Sequence, residues 1–257
     1  MRNKTNKYKG GRIFLLITSL LILCAFAMPS RHFTIYMAGD STMAIKQVSA
    51  YPETGWGMPF AKYFDSTVTV NNLARNGRST KTFITDGLWA QILKDLKPDD
   101  YVFIEFGHND EVKTKASFTT EAEFKANLVK FVTDVKSKQA TPILLTPVTR
   151  RNFDTTGHIK ETHLVYSKIV REVATENNVT LIDVDELSRS FFDKYGPENS
   201  KLFFNHLEPG ENPNYPEGRN DDTHFNELGA RRIAEIVLKG IRDLQLPLAD
   251  NIVKPVK

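Results

Sequence analysis

The chain has one cysteine, Cys24, in 257 residues. Beyond residue 24 it therefore has no disulfide, no cysteine nucleophile and no thiolate metal site. An apolar run long enough to cross a bilayer, about 20 residues, is also missing. The nearest approach is Ile13 to Ala27, fifteen residues broken by Thr18 and Ser19. There is little excess charge of either sign where it would matter. The formal charge of +3 comes from Arg2, Lys4, Lys7, Lys9 and Arg12, whereas from Met28 onward 29 basic residues face 31 acidic ones. A nucleic-acid partner is accordingly not expected. Internal repeats and Gly/Ser linkers are absent. With 40% hydrophobic and 25% charged residues, collagen-like, low-complexity and disordered classes are excluded.

What is present begins with a layout typical of export. A basic lead, a short apolar run and Ala25-Phe26-Ala27 predict a signal peptide over 1–27 with cleavage before Met28. A retained anchor is the alternative; lipidation at Cys24 is disfavoured by the bulky Leu23 before it. Once the signal is cleaved, no stable membrane partner is expected. Residues 28–257 read as one domain, long enough to rest on a core without disulfides.

Within it, Phe33 to Ala38, Val68 to Val70, Tyr101 to Phe106, Pro142 to Leu145 and Val179 to Ile182 are short continuous apolar runs. Such runs suit strands buried on both faces. Helical spacing of apolar residues marks Glu121 to Lys138, His163 to Asn177 and about Phe225 to Leu244. This alternation predicts an α/β fold, a parallel sheet between helix layers, with functional residues beyond the carboxyl ends of its strands. Pro197 to Arg219, rich in proline and glycine, reads as a long irregular loop of the kind that is often functional.

Four segments could carry chemistry. Gly39-Asp40-Ser41 follows the first strand, where a serine nucleophile would be presented; it is equally ordinary turn or cap chemistry. Asp221-Asp222-Thr223-His224 precedes the last helix. In a helical turn Asp221 and His224 would share a face, and a carboxylate-held imidazole is a general base for a serine. The alternatives are that Asp222 or Thr223 caps the helix, or that the cluster binds metal, for which no third ligand recurs. Gly77 and Asn109 follow the second and third strands. With the Ser41 N–H they could form a three-donor oxyanion hole, or each could be a plain turn.

Taken in chain order, Gly39-Asp40-Ser41, Gly77, Gly107-His108-Asn109-Asp110 and Asp221 to His224, the segments resemble the SGNH (GDSL) hydrolase superfamily, over roughly Ile35 to Ala234. The strings AGDSTMA, ARNGRSTKTF and DDTHFNELGA look most like its rhamnogalacturonan acetylesterase branch. The resemblance implies a flavodoxin-like three-layer αβα sandwich with a five-stranded parallel sheet and no cofactor or metal. It also implies Ser41 as nucleophile, His224 as base, Asp221 as its orienter, and Ser41, Gly77 and Asn109 as oxyanion donors. The implied partner is an acetylated polysaccharide or oligosaccharide, rhamnogalacturonan first. Alternatives are xylan or another carbohydrate ester, a broader esterase or lysophospholipase, and a glycan-binding module without turnover.

For the substrate, Arg75, Arg78 and Arg219 could surround the site with positive charge, as a polyuronate would require, or form ordinary surface ion pairs. Trp56, Tyr215, Phe203 and Phe204 could offer faces for sugar rings, though such aromatics are more often core, and only Trp56 or Tyr215 is expected to be exposed. His108, Tyr51 and Glu53 are further contact candidates. His32, His158, His163 and His206 are expected to face solvent or cap helices. The polar 197–219 segment disfavours long-chain lipids.

Overall fold

The computed structural model describes residues 32–253. The expected signal segment over 1–27, with Cys24, lies outside the described residues. All five apolar runs form strands: β1 (Phe33–Gly39), β2 (Val68–Asn72), β3 (Tyr101–Glu105), β4 (Thr141–Leu145) and β5 (Thr180–Ile182). They pair in parallel in the order β2-β1-β3-β4-β5. This is the flavodoxin-like order, with its switch point between β1 and β3.

Successive side chains leave opposite faces of a strand. Ile35, Met37, Phe103, Ile143 and Leu145 enter one core, while Tyr36, Ala38, Val102, Ile104 and Leu144 enter the other. Two apolar faces explain why these strands read as unbroken hydrophobic runs. β2 differs: at the sheet edge its residues alternate between half-buried and exposed, so two-sided burial fails there.

Helices α1 (Gly57–Phe60), α6 (Val184–Asp193) and α8 (Glu227–Asp243) cover the first core. Helices α2 (Thr80–Thr85), α3 (Leu88–Asp95), α4 (Glu121–Ser137) and α5 (Leu164–Glu176) cover the second. Helix α4 starts where a reciprocal capping box forms between Thr120 and Glu123. Helix α8 is capped by Asn226, whose side chain accepts the Gly229 N–H, so neither Asp222 nor Thr223 serves that purpose.

The 197–219 stretch is more ordered than its composition predicts. It holds most of the short helix α7 (Gly196–Asn199), a 3-10 turn and strand β6 (Phe204–Leu207). Phe203 and Phe204 are buried, as expected. Strand β6 pairs antiparallel with β7 (Arg219–Phe225). Phe204 lies opposite Phe225 but Asn205 opposite Asp221, so Asp222, Thr223 and His224 bulge out of the ladder.

Candidate active site

Beyond β1 the chain turns sharply at Asp40, whose Oδ1 accepts the Thr42 N–H at 3.0 Å and the Thr42 hydroxyl at 2.9 Å. The turn holds Ser41 at the carboxyl edge of the sheet, 9% exposed. The β7 bulge brings His224 to it, with Nε2 2.9 Å from Ser41 Oγ and Nδ1 2.9 Å from Asp221 Oδ2. Asp221 and His224 thus meet in a bulged strand, not in the helical turn their spacing suggested. The other Asp221 oxygen accepts the Thr223 and His224 N–H groups at 2.9 and 3.0 Å, and Arg219 Nη2 lies 2.8 Å from Oδ2.

Burial opposes the charge on Asp221. The hydrogen bond and attraction of His224 outweigh it, with help from Arg219, and hold the carboxyl well below the usual carboxylate range. An ionised Asp221 places the imidazole proton on Nδ1 and leaves the Nε2 lone pair facing the serine hydroxyl.

The neighbouring loops are tied to this turn. The Arg75 N–H donates to Gly39 O at 3.1 Å, fixing the loop after β2 against the end of β1. Gly77 in that loop has φ +75°, a conformation side chains rarely adopt, and a Cβ there would meet nothing within 4 Å. After β3, Asn109 is buried and its Nδ2 donates one hydrogen to Arg78 O at 3.1 Å. An amide carries two, so one remains for a ligand. Asp110 anchors the same loop to α2, accepting Thr80 N–H at 2.9 Å and Thr80 Oγ1–H at 2.6 Å. Among the described residues, the N–H groups of Ser41 and Gly77 have no protein partner. A nucleophilic hydroxyl, an oriented base and unengaged donors on adjacent strands form a constellation suited to acyl transfer.

The profile of the GDSL-like lipase/acylhydrolase family matches residues 37–232. The chain belongs to that family. It is a carboxylic ester hydrolase. Rhamnogalacturonan acetylesterase RhgT of Bacillus subtilis is 37% identical over 227 residues, covering 88% of this chain and 97% of the relative. The probable rhamnogalacturonan acetylesterase YesY of the same organism is 36% identical over 222 residues, 86% and 97% of the two chains. The crystal structure of Bacillus subtilis protein YxiM superposes with a TM-score of 0.73 at 30% identity. It covers 86% of this chain, which in turn spans 59% of YxiM.

In this GDSL-like hydrolase several expected substrate residues are otherwise engaged. Trp56 is not a sugar platform: it is fully buried, its indole donating to Glu105 Oε2 at 2.6 Å. His108 does not face the cleft. It is 4% exposed, packs edge-on against His163 at 4.3 Å between ring centres, and lies 3.4 Å from Asp40. Burial and the neighbouring His163 push its pKa down to about 4. Arg78 pairs with Asp86 and Arg219 with Asp221, so ordinary ion pairing accounts for both. Arg75 is exposed and has no carboxylate partner among the described residues. Tyr215 is half-buried, with its hydroxyl donating to Ala50 O at 2.9 Å and its ring beneath Arg219. Tyr51 is exposed on the rim of an open cavity of about 1080 Å³ that also reaches Arg219 and His206. Glu53 is taken up by Lys46, at 2.6 Å.

Two of the histidines also depart from expectation: His163 is buried and bonds Glu111 at 3.1 Å, and His206 is half-buried and bonds Asp222 at 2.8 Å. His158 is exposed, as expected, and lies 3.2 Å from Asp193. Sequence reading missed Lys46, which is buried and also donates to Asn76 Oδ1 at 2.9 Å across the cleft loops. It missed Arg151, which clamps Asp222. It missed Glu105 too, although an acid inside the apolar run YVFIEF was a visible signal.

Proposed function

We propose that the protein is a serine esterase that removes O-acetyl groups from rhamnogalacturonan. The unbroken chain from Ser41 Oγ through His224 to Asp221, each link 2.9 Å, carries the mechanism. The relatives at 36–37% identity over nearly their whole length support the substrate.

Ser41 Oγ attacks the acetyl carbonyl carbon as His224 Nε2 takes the hydroxyl proton. Asp221 holds the ring in register and balances the imidazolium charge. Negative charge gathers on the carbonyl oxygen, where the N–H groups of Ser41 and Gly77 and the second Asn109 amide hydrogen receive it. Collapse breaks the bond to the sugar oxygen, which leaves with the proton from His224. Water, deprotonated by the same nitrogen, then attacks the acetyl-enzyme and releases acetate and free Ser41. Arg75 is the exposed cation available to a uronate carboxylate in this loop.

The test is acetate release from acetylated rhamnogalacturonan, acetylated homogalacturonan and acetylated xylan by wild type and Ser41→Ala. Release from rhamnogalacturonan above the others, abolished in Ser41→Ala, is the expected result. Release chiefly from xylan overturns the substrate assignment but keeps the serine mechanism. Full activity in Ser41→Ala overturns the mechanism. An octanoyl nitrophenyl ester hydrolysed in preference to the acetyl ester would assign the exposed Ile45 and the groove it shares with Met58 to an acyl chain.

A further inference from the structure

Beneath the nucleophile turn, two carboxylates share one hydroxyl. Glu105 ends β3 fully buried. Its Oε2 accepts the Trp56 indole N–H at 2.6 Å; its Oε1 accepts the Val148 N–H at 3.1 Å and lies 3.3 Å from Thr42 Oγ1. On its other side Thr42 Oγ1 lies 2.9 Å from Asp40 Oδ1. A threonine hydroxyl has a single hydrogen to give. With both acids ionised, one of the two contacts would set oxygen lone pairs against each other in a buried site, which is costly. Both contacts are satisfied when one acid keeps its proton.

The surroundings decide which acid that is. Asp40 receives the Thr42 N–H and hydroxyl on Oδ1, and its Oδ2 faces His108 Nδ1 at 3.4 Å. Burial works against its charge, yet His108 and Thr42 lower its pKa. Glu105 is raised by burial and then by the charge of Asp40, against the hydrogen bonds from Val148, Trp56 and Thr42. The remaining ionisable groups nearby, His108 with His163 behind it and Asp110, lie on the Asp40 side. A protonated carboxyl accepts at both oxygens and donates from one, which fits this slot. A glutamine would turn its NH₂ toward either the indole or the Val148 N–H.

We infer that Glu105 is a positioning residue for the hydrolysis, donating its proton to Thr42 Oγ1, which donates in turn to Asp40, and so setting the turn that carries Ser41. Trp56 braces the same turn twice, through Glu105 and through its backbone N–H on Thr42 O at 2.8 Å. Loss of the Glu105 proton leaves two buried anions across one hydroxyl. Their repulsion displaces Thr42 and with it the Ser41 N–H and Oγ. Glu105 touches no substrate, so kcat falls toward alkaline pH while KM holds.

The inference rests on the esterase reading for its consequence and on geometry for the proton, and the two are separable. Infrared difference spectra of the substrate-free protein during alkaline titration report the C=O stretch of a protonated carboxyl. We expect a band that disappears on titration, is missing in Glu105→Gln, survives unchanged in Asp110→Asn, and persists in Asp40→Asn with its titration moved to lower pH, because the Asp40 charge that helps hold the proton is gone. In parallel, Glu105→Gln lowers kcat about tenfold, the worth of one buried hydrogen bond, and loses the alkaline fall in kcat. Thr42→Val keeps the band but uncouples it from kcat, and covers the case in which Glu105→Gln does not fold. A band removed by Asp40→Asn and retained in Glu105→Gln overturns the proton placement. An alkaline fall in kcat unchanged in both Glu105→Gln and Thr42→Val overturns the positioning role. A protein with the expected band and no esterase activity on any acetyl ester refutes the esterase reading and leaves the proton placement standing.

Discussion

At the scale of single residues the three members of the Ser41–His224–Asp221 chain should fail differently. Ser41→Ala removes the attacking atom and should lower kcat by about 10⁴-fold or more. Asp221→Asn keeps the shape but replaces a carboxylate that accepts from Nδ1, so the ring can take the wrong tautomer. A loss of about 10⁴-fold is expected there too, with little change in KM. Asn109→Ala deletes one oxyanion donor and should cost about 10²–10³-fold in kcat. Steady-state kinetics on an acetyl ester checks all three, and an Asn109→Ala loss confined to KM would remove it from the oxyanion hole. These positions were legible in the sequence because each sits where a strand ends or the last helix begins. Trp56 and His108 misled because residue type reveals what a side chain can bind, not which neighbour already occupies it. Glu105 already occupies the Trp56 indole, and Asp40 and His163 enclose His108.

The element that brings His224 to Ser41 is the β6–β7 hairpin, and it was the least legible part of the fold. RNDDTHF shows no alternation of apolar and polar residues, and its partner is set by pairing with Phe204–Leu207, which no local pattern records. The bulge is held from outside the hairpin by Arg151. Its N–H donates to Asp222 O at 2.8 Å, Nη1 lies 2.7 Å from Asp222 Oδ1, Nε donates to Ser200 Oγ at 3.0 Å, and Nη2 reaches Pro197 O. Arg151→Leu leaves several of these acceptors short of a donor, so a loss of about 1–3 kcal/mol in stability is expected. Because the same clamp sets the bulge, kcat should fall further than KM rises. Urea midpoints and kinetics on one preparation test this; an unchanged midpoint together with unchanged kcat would show that the bulge is held by its own turn at Asp221.

For the molecule as a whole, the parallel sheet was legible because strands buried on both faces leave continuous apolar runs. Helices α2 and α3 were missed because six and eight residues are too few for a 3.6-residue period to declare itself. Export is a proposal tied to residues 1–27: the protein recovered from outside the cytoplasm should begin at Met28, which N-terminal sequencing decides. The buried ionisable groups behind the site give the fold a testable pH response. Asp110 is raised from 3.8 to about 7, chiefly by burial and against the hydrogen bonds of Thr80 and Thr119. Between those values the unfolded chain has released this proton and the folded chain has kept it, so the Asp110 carboxyl lowers stability as pH rises. His108 acts in the opposite direction. Its pKa falls from 6.5 to about 4, so between those values only the unfolded chain binds the proton, and stability rises with pH. The two slopes offset each other across much of the mildly acid range. Asp110→Asn keeps an acceptor for Thr80 and Thr119 but has nothing to titrate. Its stability should therefore rise with pH relative to wild type, by up to about 1.4 kcal/mol per pH unit between pH about 4 and 7. Urea denaturation at a series of pH values measures the difference directly. Parallel profiles for the two proteins would mean that Asp110 is ionised in the folded state although its buried Oδ2 has no hydrogen-bond partner among the described residues.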